Sequence, residues 1–261
     1  MSDVRGVLRT PPDDAWSLHR FDPGPRLAPY AVWHWIVVWD LRGREPHHQA
    51  TLPHPATHLV VEEGGARLYG PLRERFERTL AGTGRAVGLR FRPGGLRPLL
   101  RAPVSSIRDR RLPASTLPGL DGEALTRAVE GAEALEGAVA AMEAALEPLL
   151  PPEPDPEIAL ADRAVALLEE DRSLTRVPEL AERLSLSVRT VQRLFADHVG
   201  LSPSWVIRRY RLHEAAAHAT AVGEVDWARL AIALGYYDQA HLVRDFTATV
   251  GTAPARYAKD E

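Results

Sequence analysis

Residues 180–203, LAERLSLSVRTVQRLFADHVGLSP, return in altered form as residues 230–254, LAIALGYYDQAHLVRDFTATVGTAP. Leu180, Ala181 and Leu184 match Leu230, Ala231 and Leu234 at a spacing of 50 residues. Val191, Arg193, Phe195, Val199, Gly200 and Pro203 match Leu242, Arg244, Phe246, Val250, Gly251 and Pro254 at a spacing of 51. The one-residue difference falls between Leu184 and Val191. It belongs in a turn, where an insertion leaves helix packing intact.

Each copy reads as helix, tight turn, helix. In the first, Pro178–Leu184 is the leading helix and Ser187 caps the second. In the other, Asp226 caps the leading helix, Gly235 ends it and Asp238 caps its successor. Helical spacing turns Val191, Leu194, Phe195, Leu242 and Phe246 toward a core. The opposite faces present Arg189, Gln192 and Arg193 in one copy and Gln239, His241, Val243 and Arg244 in the other. Arginine can donate two bonds to guanine and glutamine can pair with adenine in a major groove. A solvated helix face explains any one of these residues. The recurrence of arginine at one place in both copies, Arg193 and Arg244, favours base reading. Ser202 and Pro203 open a helix running to about Ala219 that joins the copies. Two reading helices fixed this way would enter successive major grooves about 34 Å apart.

Net charge is −3 over 261 residues, and its distribution says more than its sum. Residues 1–113 hold 18 arginines against 11 acids, and residues 114–156 hold one arginine against 9 acids. Residues 157–261 hold 13 basic and 15 acidic side chains, so phosphate contact there needs a local basic face. Arg183, Arg189, Arg193, Arg208, Arg209 and Arg211 supply one, opposed by Asp197 and the flanking Glu182.

N-terminal to the repeat, Pro148, Pro151, Pro152, Pro154 and Pro156 mark a linker. Asp155 can cap the helix that follows. Before it, Leu125, Val129, Ala132, Leu135, Val139, Met142, Leu146 and Leu149 put one apolar stripe on a long helix over 123–150. That stripe packs on the N-terminal unit or forms a dimer seam; Gly131 and Gly137 weaken it as an unbroken helix. Residues 1–29 read as irregular. Strands are predicted over Tyr30–Trp39, His47–Leu52, His58–Glu62, Arg67–Tyr69, Arg75–Leu80 and Arg85–Phe91. Hairpin turns are expected at Glu63-Gly64-Gly65 and Ala81-Gly82-Thr83-Gly84, and a helical turn at Leu96–Arg101.

The fold class is therefore α+β. A β-rich, barrel-like domain (1–113) is followed by a helical connector and Pro-rich linker (114–156) and an all-α domain (157–261) with two helix-turn-helix motifs joined by a long helix.

Over residues 157–258 the chain resembles the AraC/XylS family of transcription regulators. The likeness rests on 180–203, on RRYRLHEAA (208–216), on 230–236 and on DQAHLVRDFTATVGTAPARY (238–257). It implies two helix-turn-helix motifs, major-groove readout and control of RNA polymerase at promoters. It sets Arg189, Gln192 and Arg193 in the first base-reading helix, and Gln239, His241, Val243 and Arg244 in the second. Ala240, Leu242, Asp245 and Thr247 depart from the family pattern, which implies fewer phosphate contacts for the second motif. The N-terminal domain of such proteins often senses a small molecule or dimerises.

Cysteine is absent, so thiolate sites and disulfides are excluded. Membrane-span and signal-peptide patterns are missing, so a cytoplasmic protein with no membrane partner is expected. Phosphate loops, nucleophile elbows and paired catalytic carboxylates are missing too, so no enzyme and no cofactor are expected. His47, His48, His54 and His58, with Glu62 and Glu63, lack metal-ligand spacing, since adjacent residues face opposite sides of a strand. Trp33, Trp35 and Trp39 share one strand face. They form either barrel core or an aromatic pocket for an apolar or cationic ligand; Arg90, Arg92 and Arg97 would suit an anion. The expected partners are double-stranded DNA and RNA polymerase, with room for a small-molecule effector and a homodimer. The alternative is a constitutive DNA-binding regulator whose N-terminal domain only dimerises or binds a partner protein.

Overall fold

The computed structural model describes residues 7–9, 15–52, 54–171, 173–221 and 225–260. Nine strands come first: β1 (Val7–Arg9), β2 (Trp16–Phe21), β3 (Ala31–Asp40), β4 (His47–Thr51), β5 (His58–Glu62), β6 (Gly65–Tyr69), β7 (Phe76–Leu80), β8 (Thr83–Phe91) and β9 (Arg111–Pro113). They form a three-stranded sheet, β1-β4-β7, and a six-stranded sheet, β2-β3-β8-β5-β6-β9. Every pairing is antiparallel.

The aromatic and β-branched run of β3 lies between β2 and β8, where both of its edges are paired. Its side chains alternate across the sheet. Ile36 and His34 point to the main core, which also takes Leu59, Leu68, Leu89 and Phe91. Helices cover that face. After the short α1 (Arg97–Leu100) come α2 (Gly122–Glu130) and α3 (Leu135–Leu146).

Three expectations are corrected here. Residues 16–21 form a strand, β2, rather than irregular chain; its polar residues suit an outer strand bonded only to β3. The expected hairpin at 81–84 is absent. Leu80 ends β7, which pairs with β4, while Thr83 begins β8, which pairs with β3 and β5. Gly82, at φ +57°, therefore turns the chain from one sheet to the other. The single helix expected over 123–150 is two helices, broken after Gly131, whose amide closes α2 on Arg127 O at 2.9 Å. Leu125, Val129, Val139, Met142 and Leu146 are buried in the same core as Ile36. The stripe is thus consumed within the chain and offers no dimer seam.

The C-terminal part is helical: α4 (Pro156–Glu170), α5 (Val177–Arg183), α6 (Val188–Leu194), α7 (Pro203–Ala221), α8 (Trp227–Ala233), α9 (Gln239–Val250) and α10 (Pro254–Asp260). A π-turn, Phe195–Val199, extends α6. Helix α7 serves two cores with two faces. Val206, Ile207 and Tyr210 pack with Leu180, Val191, Leu194 and Phe195 of the first repeat. Leu212 and Ala215 pack with Ala231, Leu242, Phe246 and Val250 of the second. Burial of a side chain such as Phe246 contributes about 1.5–3 kcal/mol, so each repeat is anchored independently on the shared helix.

The β-rich and helical parts also share buried residues. Ile158 of α4 belongs to the sheet-and-helix core, and Leu52, just after β4, belongs to the core of the second repeat. None of the described helices is long and apolar enough to cross a membrane.

Candidate nucleic-acid interface

The two repeats turn in the same way. Ser185 and Gly235 hold left-handed backbones, at φ +57° and +72°. Their amides donate to Glu182 O at 3.0 Å and Ile232 O at 2.9 Å, and those of Leu186 and Tyr236 donate to Ala181 O at 2.8 Å and Ala231 O at 2.9 Å. The spacing of 50 therefore persists through Tyr236 and becomes 51 at Asp238. The inserted residue is Tyr237, whose side chain is 87% exposed. Each second helix then starts on a side-chain cap. Ser187 Oγ accepts from the Thr190 amide at 3.1 Å, and Asp238 Oδ1 from the His241 amide at 2.7 Å.

Caps and cores fix the rotation of both helices. Val191, Leu194 and Phe195 point inward, which leaves Arg189, Gln192 and Arg193 exposed along α6. Leu242 and Phe246 are fully buried, which leaves Gln239, His241 and Arg244 exposed along α9 and Val243 half-buried. Among the described residues, no side-chain hydrogen bond or ion pair holds Arg189, Gln192, Arg193, Gln239 or Arg244. Their donors are thus available to a ligand. His241 lies edge-on to Tyr236, 5.1 Å between ring centres. Both rings line a cleft of about 400 Å³ with Arg176, Arg208, Arg211 and Asp245.

The basic face is narrower than the arginine run implied. Arg209 is 3% exposed, lies against Trp205 at 4.5 Å and donates to Arg73 O. Burial lowers its pKa to about 10, with Asp245 acting in the opposite sense. Arg211 turns into the first repeat and donates to Thr175 O; burial is the main reason its pKa is lowered. Arg183 pairs with Asp171 at 2.9 Å. Asp245, an acidic departure in the second repeat, is likewise employed internally. It accepts from Tyr236 Oη at 2.9 Å and lies 3.7 Å from Arg208.

Two features escaped the sequence reading. Val188, at the start of α6, and Tyr237, just before α9, are exposed. The change from 50 to 51 was the available signal for Tyr237; for Val188 there was none.

The aromatic face of β3 is occupied by the chain itself. Trp33 lies between the Arg20 and Arg90 guanidiniums, each 4.7 Å from its ring centre. Trp35 covers Gly88 and donates to His58 Nδ1 at 3.2 Å; Trp39 covers Gly84 and donates to Ala81 O at 3.2 Å. A Cβ on either glycine would come within 2.1 Å of the indole above it. The glycines of β8 thus provide room that the indoles fill, and this is packing rather than an open aromatic pocket. A surface cavity of about 770 Å³ lies elsewhere, between the β5–β6 turn and α2, lined by Gly65, Arg67, Asp121, Thr126 and Glu130 among others.

Residues 180–260 match the family model described as a helix-turn-helix domain. The C-terminal segment is a helix-turn-helix domain. Ahead of it, residues 19–113 match a model described as a domain of unknown function. An uncharacterized HTH-type transcriptional regulator of Haemophilus influenzae is 26% identical over 95 residues, 36% of this chain. The match spans about a third of that relative, 32% of its length. Among solved structures, the C-terminal domain of AraT, a response regulator from Geobacillus stearothermophilus, is 21% identical at a TM-score of 0.36, covering 41% of this chain and 87% of that one. ToxT from Vibrio cholerae O395 is 10% identical at a TM-score of 0.37, covering 95% and 98%. Unsaturated fatty acid bound ToxT from Vibrio cholerae strain SCE256 is 11% identical at a TM-score of 0.39, covering 94% and 91%.

Proposed function

We propose that this chain is a sequence-specific DNA-binding transcription regulator that reads duplex DNA with α6 and α9. The observation that carries the reading is the duplicated geometry. Two equivalent turns and two equivalent caps present Arg189, Gln192 and Arg193, and Gln239, His241 and Arg244, with their hydrogen-bonding ends uncommitted. Arginine and glutamine there suit guanine and adenine edges. Promoter control makes RNA polymerase the protein partner.

The N-terminal unit is the control element in this reading, because it touches both repeats. Gly94 donates its amide to His198 O, just after α6, at 3.0 Å, Arg73 O receives Arg209 of the joining helix α7, and Arg75 Nη1 donates to Val250 O at the end of α9 at 2.9 Å. A small-molecule effector would act by favouring one arrangement of these contacts over another.

The test is selection of duplexes from a random library by the full chain, followed by footprinting. Two protected major-groove faces one helical turn apart are expected, with binding at least about 10³-fold tighter than to random duplex. Equal affinity for selected and random DNA would overturn the reading. A footprint confined to one groove would remove α9 from it.

A further inference from the structure

Where the Pro-rich run ends, Asp155 caps α4 with one oxygen only. Oδ1 accepts from the Glu157 amide at 2.9 Å, which leaves Oδ2 to face His198, 3.8 Å from its Nε2. Glu157 Oε2 lies 3.7 Å from the same nitrogen. The three ligand atoms lie within 4.8 Å of one another.

His198 belongs to the π-turn that follows α6. Its side chain is 3% exposed, and neither ring nitrogen has a hydrogen-bond partner. A buried imidazole with both nitrogens unsatisfied is costly unless something else meets them. The ring is held in place from the N-terminal unit. Gly94 donates its amide to His198 O at 3.0 Å, and a Cβ on Gly94 would lie 3.2 Å from His198 Cδ2.

We propose that Asp155, Glu157 and His198 bind a divalent cation of the zinc type. One imidazole nitrogen and two carboxylate oxygens suit zinc and leave a fourth position for water. Bonds of about 2.0–2.2 Å at tetrahedral angles set neighbouring ligand atoms about 3.4 Å apart. The observed separations are too long for direct hydrogen bonds. The two distances to His198 need to contract by a few tenths of an ångström, and the two carboxylate oxygens, within 4.8 Å of each other, can close on the ion because both side chains are exposed. Magnesium, which prefers six oxygens and keeps its water, fits this set poorly. The cap bond orients Asp155, but Nδ1 of His198 lacks the outer partner that raises affinity about 10–100-fold. Binding is therefore expected to be micromolar.

This site was invisible in the sequence because His198 is far along the chain from the two acids. The ion would tie the start of α4 to the end of the first reading helix, beside the Gly94 loop. It would alter DNA affinity only if the free and DNA-bound forms hold it differently.

The test is calorimetric titration of the tag-free, chelator-treated full chain with zinc alone, and with magnesium as a control. Asp155→Asn retains the cap acceptor, and Glu157→Gln changes an exposed group, so both variants should fold. One saturable zinc site per chain is expected. Each substitution should weaken it at least tenfold while leaving the metal-free melting temperature unchanged. Cobalt should give a tetrahedral absorption spectrum that both variants lose. Absence of a saturable site would overturn the proposal. So would zinc binding that neither variant alters, which would mark an adventitious ion on other histidines. A metal-free chain that Asp155 and Glu157 stabilise only at acidic pH, with no response to zinc, would assign an imidazolium ion pair instead.

Discussion

Ser187 and Asp238 stand 51 residues apart in equivalent places, and each accepts a hydrogen bond from the amide three residues on, at 3.1 and 2.7 Å. Each satisfies one amide at the start of its helix, α6 or α9, where no carbonyl precedes it. The shared geometry sets both the first turn of the helix and the direction in which Gln192 or His241 leaves it. Ser187→Ala and Asp238→Ala should each cost about 1 kcal/mol in urea denaturation. Each should weaken selected DNA more than random DNA. A variant that loses stability without losing discrimination would detach that cap from base reading.

The arginines of 183–213 should separate into two behaviours. Arg193→Ala should cost about 1–3 kcal/mol of binding to a selected duplex and change unfolding by less than about 0.5 kcal/mol. Arg209→Ala should do the reverse. It removes a buried guanidinium from Trp205 and Arg73 O, a loss that destabilises the fold by about 2 kcal/mol or more. Paired anisotropy and urea titrations on the two variants check this. Equal loss on selected and random DNA for Arg193→Ala would reduce that residue to a phosphate contact.

The repeat was legible because its signals are local: a cap, a glycine turn and a helical spacing of apolar residues. The strand of 31–40 was legible for the same reason. What could not be read is pairing. Residues 16–21 carry too few apolar side chains to show a strand, and only the neighbouring β3 gives them a sheet. Residues 81–84 look like any hairpin, but β8 finds better partners in β3 and β5. The same limit applied to the arginines. Charge in sequence did not distinguish Arg193 from Arg209, because only the packing of α7 against Arg73 turns the latter inward. Trp35 and Trp39 were recognised as one face, but the glycines of β8 that receive them lie about 50 residues further along the chain.

Acid should weaken the fold through His58. Burial, then the Arg90 charge and His54, push its pKa down from 6.5 to about 3. The Trp35 indole donates to Nδ1, a bond that only the unprotonated nitrogen can accept. Below pH 6.5 the unfolded chain takes up a proton that the folded chain refuses until about pH 3. The stabilisation is complete above 6.5 and is lost as pH falls, by on the order of 1 kcal/mol per unit. His58→Gln keeps an acceptor for Trp35 and removes the titration. Between pH 6.5 and 5 its unfolding free energy should fall less steeply than that of the parent. Parallel slopes would mean that His58 is protonated in the folded chain.

The two closing turns of the repeats should respond differently to a methyl group. Gly200 and Gly251 both hold left-handed backbones, at φ +81° and +89°, so alanine costs about 1–2 kcal/mol at either from the backbone alone. Their neighbours differ. A Cβ on Gly200 would meet Pro71 Cγ at 2.7 Å, Val104 Cγ1 at 2.8 Å and the Val104 carbonyl carbon at 3.0 Å. A ring, a branched side chain and backbone leave no way out, and Gly200→Ala should add steric strain to the backbone cost. A Cβ on Gly251 would meet the Arg75 guanidinium, with Nη1 at 2.2 Å. That group is the end of a flexible side chain, and it can swing away at the loss of its bond to Val250 O. Arg75→Ala loses the same bond. Gly251→Ala and Arg75→Ala together should therefore cost less than the sum of the two alone, by about 0.5–1 kcal/mol. Gly200→Ala combined with Pro71→Ala should show little relief, because the Val104 backbone remains. Urea midpoints of the single and double variants supply all the terms. Strict additivity for Gly251 and Arg75 would mean that Arg75 does not lie over the closing turn of the second repeat in solution, and α9 would then lose its hydrogen bond to the N-terminal unit while keeping the packing of Leu52.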